Sequence, residues 1–376
     1  MKYHIVTFGC QMNVHDSEKI AGILEQMGYS VCDKREDADI IVFNTCAVRE
    51  GAEDRVFGNV GALKKLKRSR PDLTIVVCGC MTQKEETAKR FHSKFPFVDL
   101  VIGTFNMPKL GEYLQEKTRK KRRMYLLEEG EIDEMMPYAR TSGENAWVNI
   151  MQGCNNFCTY CIVPYVRGRE KSRKKENILK EIRELVASGK YKTITLLGQN
   201  VNSYGKDLEE PITFAQLLTE ICKIEGDFEV GFMTSHPKDL SDELISVISN
   251  EIKIKKEIHL PAQSGNDRVL ALMNRKYTRE KYMSIIEKIK AQIPGVKLTS
   301  DFIVGFPTET EEEFEDTCSL VREVEYSGIF AFMYSPRIGT IASEMSGQID
   351  DETKHRRVNK LLAIQKEVQQ KVNNGK

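Results

Sequence analysis

Short apolar runs and amphipathic stretches alternate along the first part of the chain. The runs "YHIVTF", "DIIVFN", "LTIVVCG" and "VDLVIG" are continuous and rich in β-branched residues, which is typical of strands buried on both faces. The segments between them, such as "VHDSEKIAGILEQMG", place apolar residues at helical spacing. Buried strands that alternate with helices predict an α/β fold with a parallel sheet covered on both faces.

A second series of strands and helices begins near Trp147. Its predicted strands are "AWVNIMQG", "KTITLLGQ", "FEVGFM", "KEIHLPA", "VKLTSDFIVGF" and "GIFAFMYSP". Helical patterns are predicted between them at 174–188, 213–224, 241–249, 279–291 and 310–324, with a last charged helix at 350–371. Six strand–helix units of this length predict a (β/α)6-type parallel barrel that closes only partly.

A change in composition separates the two series. The run "KTRKKRR" at 117–123 is almost entirely basic, and the acidic stretch "LEEGEIDEMMP" follows it. We therefore predict an N-terminal parallel-sheet domain over residues 1–116, a linker over 117–145 and a barrel domain with a C-terminal helix over 146–376. The basic run could neutralise phosphates of a nucleic acid or serve only as a solvated linker.

Charge and hydropathy limit the class of protein. The 376 residues carry a formal net charge of +1, so any nucleic-acid surface must be local. Mean hydropathy is −0.41, and no apolar run approaches the roughly 20 residues that a membrane-spanning helix requires. The N-terminus does not show the pattern of a secretory signal. We expect a cytoplasmic protein that does not cross a membrane.

Cysteine usage points to metal chemistry. Ten cysteines in a chain of this kind are unlike a disulfide framework, and clustered thiols in a reducing compartment indicate metal ligation. Isolated Cys222 and Cys318 lie at apolar helical positions and are expected to fill the core.

The segment "GCNNFCTYC" contains three cysteines, at positions 154, 158 and 161, just after the first predicted barrel strand. Active sites of parallel barrels collect at this end of the strands. A tetrahedral zinc ion would need a distant fourth ligand, whereas a [4Fe–4S] cluster on three thiolates keeps one iron open for a substrate. The spacing alone leaves both interpretations open.

A second set of three cysteines is spread over the N-terminal sheet. Cys10, Cys46 and Cys80 each follow an apolar strand, and their separations of 36 and 34 residues each match one strand–helix unit. Because the ends of parallel strands meet at one edge of the sheet, these thiols are expected to converge there. Cys78 is the alternative to Cys80, but it falls inside its strand, so we choose Cys80.

These motifs resemble two families of iron–sulfur enzymes. "CNNFCTYC" resembles the signature of the radical S-adenosylmethionine (SAM) enzymes. "TFGCQMNVHDSE", "FNTCAVRE" and "CGCMTQ" look like the N-terminal motifs of the methylthiotransferases, and "RGREKSR", "LLGQNVNSYG", "HLPAQSGNDRVLALMNRKYTREKY", "DFIVGFPTETEEEFEDT" and "YSPRIGT" extend the likeness through the barrel. "HLPAQSG" and "TFGCQMN" look most like the MiaB-type branch, which modifies isopentenylated adenosine next to the tRNA anticodon.

The resemblance implies an enzyme with two [4Fe–4S] clusters and a reaction in two halves. An auxiliary cluster would be held by Cys10, Cys46 and Cys80, and the radical SAM cluster by Cys154, Cys158 and Cys161. One SAM would donate a methyl group to a sulfur, and a second would yield the 5′-deoxyadenosyl radical that removes the hydrogen at C2 of the adenine at tRNA position 37. Expected partners are the tRNA anticodon stem-loop and an electron donor such as flavodoxin or ferredoxin; the sulfur source is left open.

The alternatives are methylthiolation of threonylcarbamoyladenosine in tRNA or of a ribosomal-protein aspartate, and, from another class, a non-catalytic metal-stabilised tRNA-binding protein. Relatives end with a β-barrel tRNA-binding module, the TRAM domain. Since this sequence ends at Lys376 soon after a predicted helix, we expect that module to be absent, either by truncation or by nature.

Further site residues are predicted from the barrel motifs. SAM is expected to contact residues of the cysteine loop and of two strand ends, namely Tyr160, Gly198, Gln199, Asn200, Gln263 and Ser264. Tyr160 could equally serve loop packing. Candidates for tRNA backbone contacts are Arg167, Arg169 and Arg173 in "RGREKSR", whereas His236 and His259 are expected to be structural.

Overall fold

The computed structural model describes residues 1–47, 52–120, 124–126, 137–140 and 143–374. The chain divides into two compact units, one formed by Met1–Gly153 with Val163–Arg173, the other by Cys154–Ile162 with Lys174–Lys376. Both units are built on parallel strands, which confirms the predicted α/β class. Much of the predicted linker, including 121–123 of the basic run, lies outside the described residues.

The described residues of unit 1 form a six-stranded parallel sheet in the order β2-β1-β3-β4-β5-β6. Its strands are β1 (Lys2–Thr7), β2 (Ser30–Val31), β3 (Ile40–Thr45), β4 (Thr74–Gly79), β5 (Leu100–Ile102) and β6 (Met124–Leu126). Its helices are α1 (Gln11–Gln26), α2 (Ala52–Ser69), α3 (Glu85–Lys94), α4 (Leu110–Lys120) and α5 (Val163–Arg167). The unit also contains β7 (Asn145–Asn149) and an antiparallel pair, β8 (Met151–Gln152) and β9 (Lys171–Ser172).

The central strands of unit 1 are buried on both faces, as their unbroken apolar runs predict. In β3, Ile40 and Val42 pack into one apolar cluster with α1, while Ile41 and Phe43 pack into another with α2 and α3. Each fully buried aliphatic or aromatic side chain of this kind contributes about 1.5–3 kcal/mol relative to exposure. The alternation therefore fixes which side of β3 faces which helix layer.

The register of the sheet aligns the carboxyl ends of three neighbouring strands. Thr7 of β1 pairs with Asn44 of β3, and Thr45 of β3 pairs with Gly79 of β4. The chain turns sharply at Gly79, where φ is +102° and an added Cβ would overlap the Thr45 carbonyl oxygen. Glycine is required by both the backbone conformation and the close approach of the neighbouring strand.

Unit 2, described through residue 374, contains five parallel strands with helices between them. The strands are β10 (Thr193–Leu197), β11 (Glu229–Phe232), β12 (Glu257–His259), β13 (Lys297–Val304) and β14 (Gly328–Met333). The helices are α6 (Lys175–Ala187), α7 (Phe214–Cys222), α8 (Asp242–Asn250), α9 (Asp267–Leu272), α10 (Arg279–Gln292), α11 (Glu311–Val324) and α12 (Asp351–Asn374). β10 pairs with β11 and β12 with β13 and β14, and the bridge between Val230 and Ile254 links β11 to the segment before β12.

Helix boundaries in unit 2 follow local capping signals. Helices α7 and α11 begin after Thr213 and Thr310, each of which forms a capping box with the residue three positions later. Short α9 is not predicted by the periodicity of the sequence, although Asn266 caps it by accepting a hydrogen bond from Val269 N. Among the described residues, none of the helices has the length and apolar character needed to cross a bilayer.

We predict that Gly79→Ala destabilises unit 1 by more than the roughly 1–3 kcal/mol typical of a strained backbone position, because the new methyl group also overlaps the Thr45 carbonyl. Urea denaturation would measure the change in the free energy of unfolding. Gly28→Ala is the matched control, since Gly28 also has positive φ (+85°) but has no atom within 4 Å of the added Cβ. Equal losses in the two variants would contradict this account of Gly79.

Candidate cluster and cofactor sites

The first cysteine set lies just beyond the aligned ends of β1, β3 and β4. A Cβ placed on Gly9, the residue before Cys10, would be 2.7 Å from the Cβ of Cys46, so these two loops touch. Burial raises the pKa of the Cys80 thiol to about 12, and the charges of Cys46 and Cys10 add to that rise. The structure therefore brings the three predicted cysteines of unit 1 together.

A buried amide network holds these loops in place. Asn13 Nδ2 donates to the Thr45 carbonyl at 3.0 Å, and Asn44 Nδ2 donates to the Asn13 carbonyl at 2.8 Å. Asn13 Oδ1 lies 3.5 Å from Cys10 Sγ, and Thr45 Oγ1 donates to the Cys78 carbonyl at 2.6 Å. Because buried amides are costly when unpaired, this network specifies one arrangement of the three strand ends.

Arg167 of α5 contacts Cys80 directly. Its Nε donates to Cys80 Sγ at 3.1 Å, and its Nη2 donates to Asp16 Oδ2 at 2.7 Å. The Arg167 guanidinium lowers the pKa of Cys80, opposing the larger effect of burial. Both side chains of the Arg167–Asp16 pair are buried, with exposures of 3% and 7%.

The surroundings of Cys78 support the choice of Cys80 as the third thiol. Cys78 lies inside β4 and is packed in the apolar cluster beneath α1, where burial raises its pKa strongly. Cys80 lies one residue beyond the strand and receives the Arg167 hydrogen bond. Cys32, by contrast, lies next to β2 and interacts with the carbonyls of Tyr3 and Lys34. The assignment of Cys80 stays a prediction.

The three arginines predicted to contact tRNA occupy different environments. Arg167 and Arg173 are both buried, and Arg173 Nη1 donates to the Asn149 carbonyl at 2.6 Å. These two side chains therefore offer no surface to tRNA phosphates, because unit 1 uses them internally. Arg169 is exposed, and its contact with tRNA stays a prediction.

The second cysteine set lies in a loop that unit 2 holds at several points. Thr159 N donates to the Met273 carbonyl at 3.1 Å, and Asn274 Nδ2 donates to the Phe157 carbonyl at 3.0 Å. Cys161 N donates to the Cys158 carbonyl at 2.9 Å, which closes a turn between the last two cysteines. The "MNRKYT" segment after α9 therefore sets the shape of this loop.

Arg275 approaches this loop as Arg167 approaches Cys80. Its Nη1 lies 3.4 Å from Cys158 Sγ and 3.5 Å from the Tyr160 hydroxyl, while its Nη2 donates to the Pro261 carbonyl at 3.0 Å. Burial raises the pKa of the Tyr160 phenol well above its usual range, so this phenol is neutral. Tyr160 thus lies beside the cysteines and Arg275, and its predicted role next to SAM stays open.

Unpaired polar atoms gather in the loops after β10, β11 and β12. Among the described residues, buried atoms without a hydrogen-bond partner include Gln199 Oε1, Asn200 Oδ1, both side-chain polar atoms of Asn202, Ser235 Oγ, His236 Nε2 and Gln263 Oε1. Buried polar groups are normally paired, so such a concentration at strand ends of a barrel indicates a site for a polar ligand.

The other predicted SAM contacts differ in their surroundings. Gly198 directly follows β10 and is buried. Ser264 Oγ lies 3.4 Å from Thr317 Oγ1 of α11 and accepts a hydrogen bond from Asn266 N at 3.2 Å. Ser264 therefore has partners within unit 2, whereas Gln199, Asn200 and Gln263 each keep a free acceptor.

The sequence predicts a structural role for His236, whereas among the described residues its Nε2 is buried without a hydrogen-bond partner. Burial lowers its pKa to about 2, and the charge of Arg275 adds to that effect, so the imidazole is neutral. Its Nδ1 accepts from Lys238 N at 3.2 Å, which places the proton on the unpaired Nε2. Asn202, Ser235 and His236 lie in loops that follow barrel strands, as Gln199 does. This position after a strand is the feature of the sequence that could have identified them as candidate ligand contacts.

Comparison with known proteins identifies the family. A family model described as "Uncharacterized protein family UPF0004" matches residues 2–103, and the Radical SAM superfamily model matches residues 148–321. The chain is 54% identical over 373 residues to a protein of Carboxydothermus hydrogenoformans named tRNA-2-methylthio-N(6)-dimethylallyladenosine synthase, covering 99% of this chain and 84% of that one. A Caldicellulosiruptor saccharolyticus protein of the same name is 52% identical and is covered to 79%. This chain belongs to their family.

Solved structures agree on the fold of this synthase family member. The radical SAM methyltransferase TsrM from Kitasatospora setae, solved with cobalamin and a [4Fe–4S] cluster, matches with a TM-score of 0.66 at 13% identity, covering 91% of this chain and 73% of that one. The cobalamin-dependent radical enzyme OxsB matches with a TM-score of 0.59 at 14% identity, covering 98% and 56%. At these identities the likeness concerns the fold alone. These structures and the family models confirm the predicted fold class. The predicted MiaB-type resemblance and enzyme class are confirmed by the family models and the sequence relatives.

The donor sets of this radical SAM family member fit the cofactors that its family uses, two [4Fe–4S] clusters and SAM. Each unit contains one of the two sets of three cysteines, and the unpaired strand-end atoms suit the polar groups of SAM. Within the described ranges, no three His, Cys, Asp or Glu side chains are arranged around a single metal ion. A four-iron cluster places each cysteine on a different iron, so its ligands stand further apart than those of one ion.

We predict that Cys80→Ala lowers the iron content after anaerobic reconstitution from about eight atoms per chain to about four, because one of two four-iron clusters loses a ligand. Cys78→Ala is the matched control and is expected to retain both clusters, since Cys78 lies in the apolar core. Iron and sulfide analysis would measure the difference. Loss of iron in the Cys78 variant with retention in the Cys80 variant would reverse the assignment.

Proposed function

We propose that this protein catalyses the radical SAM methylthiolation of C2 of N6-dimethylallyladenosine in tRNA, as a tRNA-2-methylthio-N(6)-dimethylallyladenosine synthase. The observation that carries the proposal is the presence of two cysteine sets, one in each unit, each beside a buried arginine, in a member of this family. The parallel strands of unit 1 converge on one set, and the "MNRKYT" segment shapes the loop of the other.

The cofactors supply the difficult chemistry. When bound, the two clusters and SAM provide the methyl group, the sulfur attachment point and the radical that activates a C–H bond too weakly acidic for a general base. The task of the protein is to bind these groups and to orient the adenine relative to them. Accordingly, the residues around the cysteines are expected to act as ligands, hydrogen-bond donors and barriers to water.

Individual side chains have separate roles in this proposal. Cys154, Cys158 and Cys161 would hold the radical SAM cluster, and Cys10, Cys46 and Cys80 the auxiliary one. The free acceptors of Gln199, Asn200 and Gln263 suit the ammonium and hydroxyl groups of SAM, and the free N–H of His236 suits its carboxylate. Arg275 contacts both Cys158 and the neutral Tyr160, and would hold these two side chains in place beside the SAM site.

The partners follow from the same chemistry. A tRNA substrate is implied by the family, and the target base must leave its stack to reach cofactors at a strand-end site. Arg169 is a candidate for a phosphate contact because it is exposed in unit 1. The reaction also needs an external one-electron donor, which we propose to be a flavodoxin or ferredoxin in the cytoplasm.

We predict a division of labour between the two cysteine sets. With SAM and a reductant, Cys154→Ala should abolish the formation of 5′-deoxyadenosine, because it removes a ligand of the cluster that cleaves SAM. Cys10→Ala should still form 5′-deoxyadenosine but lose methylthiolation. Cys32→Ala serves as the control, because Cys32 belongs to neither set and interacts with the backbone carbonyls of Tyr3 and Lys34. Chromatography of the nucleoside products would measure both outcomes, and equal loss of 5′-deoxyadenosine in Cys154 and Cys10 variants would contradict the division.

The substrate is tested by nucleoside mass spectrometry of tRNA from a strain that lacks the gene. Loss of 2-methylthio-N6-dimethylallyladenosine with retention of other methylthiolated nucleosides supports the proposal. Loss of the methylthiolated threonylcarbamoyl nucleoside would replace it with that substrate. Loss of a methylthiolated aspartate, measured by mass spectrometry of the ribosomal proteins of the same strain, would replace it with the ribosomal-protein substrate. A purified protein that binds tRNA but produces no 5′-deoxyadenosine would instead be a binding protein.

A further inference from the structure

The ion pair between Arg167 and Asp16 is the feature of unit 1 that the proposed reaction does not yet use. Asp16 lies on α1 and Arg167 on α5, so residues 151 positions apart in sequence meet at 2.7 Å. Both side chains are buried, and the pair would be costly to place there without a compensating function. Its second contact, from Arg167 Nε to Cys80 Sγ at 3.1 Å, connects it to the cysteine set.

Arg167 has a further hydrogen-bond donor that is buried inside the protein. Its Nη1 is buried and has no hydrogen-bond partner among the described residues. A guanidinium carries five N–H donors, and here one binds a sulfur, one binds a carboxylate and the Nη1 group is unused. An unpaired buried donor beside three thiols suits an anionic inorganic group held by those thiols.

The other cysteine set provides a comparison within the same chain. Arg275 contacts Cys158, yet its other partners are the hydroxyl groups of Tyr160 and Tyr277 and the Pro261 carbonyl. Among the described residues, no carboxylate is a hydrogen-bond partner of Arg275. An arginine therefore accompanies each set, but in the part of the chain that the structure describes only the one in unit 1 has an acidic partner.

The charge around a cluster affects how readily it accepts an electron. A hydrogen bond or positive charge near a cluster sulfur stabilises the reduced, more negative state and raises the reduction potential, whereas a nearby carboxylate lowers it. Arg167 and Asp16 act in opposite directions on the same sulfur. The pair gives the site a hydrogen-bond donor without a net positive charge.

We propose that Arg167 and Asp16 act as a positioning pair that sets the reduction potential of the auxiliary cluster, with Arg167 binding the Cys80 sulfur and Asp16 limiting the positive charge there. This inference rests on the proposed function, because it assumes a cluster on Cys10, Cys46 and Cys80. It assigns Arg167 a role inside unit 1 in place of the predicted contact with tRNA.

The test isolates the auxiliary cluster in the full-length chain. Cys154, Cys158 and Cys161 are replaced by Ala, the protein is reconstituted anaerobically, and the midpoint potential is measured by a redox titration followed by electron paramagnetic resonance. In this background, Asp16→Asn should raise the midpoint potential and Arg167→Gln should lower it. The double variant should fall between the two single variants, because it removes both charges.

Two further variants separate a tuning role from a structural one. Arg167→Lys keeps the charge but loses the planar arrangement of donors, so its potential should lie between those of the parent and Arg167→Gln. Arg70→Gln is the matched control, because Arg70 pairs with Asp39 at 3.1 Å in unit 1 near the opposite ends of the strands, and it should leave the potential unchanged.

Each outcome decides the inference. Opposite shifts for Asp16→Asn and Arg167→Gln support it, and shifts in the same direction, or none, overturn it. If Arg167→Gln loads no iron, Arg167→Lys takes its place in this comparison. A higher potential in Asp16→Asn with a lower one in Arg167→Lys supports the inference, and shifts in the same direction, or none, overturn it. A parent variant without any iron would overturn the proposed auxiliary cluster itself, whereas a loaded parent with unchanged potentials in all variants would overturn only the role of this pair.

Discussion

Unit 1 depends on the parallel register of β1, β3 and β4. Because Thr7 lies level with Asn44 and Thr45 with Gly79, the chain leaves all three strands at the same edge of the sheet. A shift of one residue in β3 would exchange its two apolar faces and also turn Cys46 away from its neighbours. The register of β3 thus determines both the packing of the core and the position of Cys46. The buried amides of Asn13 and Asn44 stabilise this register by hydrogen bonds to backbone carbonyls.

The electrostatic environment of the thiols follows from their burial. Burial is the largest of the effects that raise the pKa of the Cys80 thiol, and the Arg167 guanidinium works against it. In unit 2, Arg275 Nη1 lies 3.4 Å from Cys158 Sγ, but its other hydrogen-bond partners are phenols and a carbonyl. Each unit therefore places a buried arginine beside one of its cysteine sulfurs, and the other partners of the two arginines differ.

The fold and the cysteine sets were largely predictable from the sequence, because both depend on local periodicity. Continuous apolar strands spaced by one strand–helix unit placed Cys10, Cys46 and Cys80 at one edge, and the helix predicted at 310–324 is observed as Glu311–Val324. Short elements such as β2 and α9 were missed, because two to six residues carry too little periodic signal.

The surroundings of the sites were less predictable, because they depend on contacts between distant residues. "RGREKSR" has the composition of a solvent-exposed basic run, and nothing local indicates that Arg167 would find Asp16 on the first helix. The free donor of His236 likewise depends on Lys238 N occupying its other nitrogen. Partners of this kind become visible only when the tertiary structure is known.

The interleaved order of the two units constrains how the protein can be divided. The segment Cys154–Ile162 belongs to unit 2, but unit 1 precedes it through Gly153 and follows it through Val163–Arg173. The polypeptide consequently passes between the units three times, and no single cleavage yields two complete halves. A gene fusion or domain exchange with a single junction would therefore divide one of the units. A junction after Arg173 would separate Cys154, Cys158 and Cys161 from the rest of unit 2, and a junction after Gly153 would separate Arg167 from the rest of unit 1.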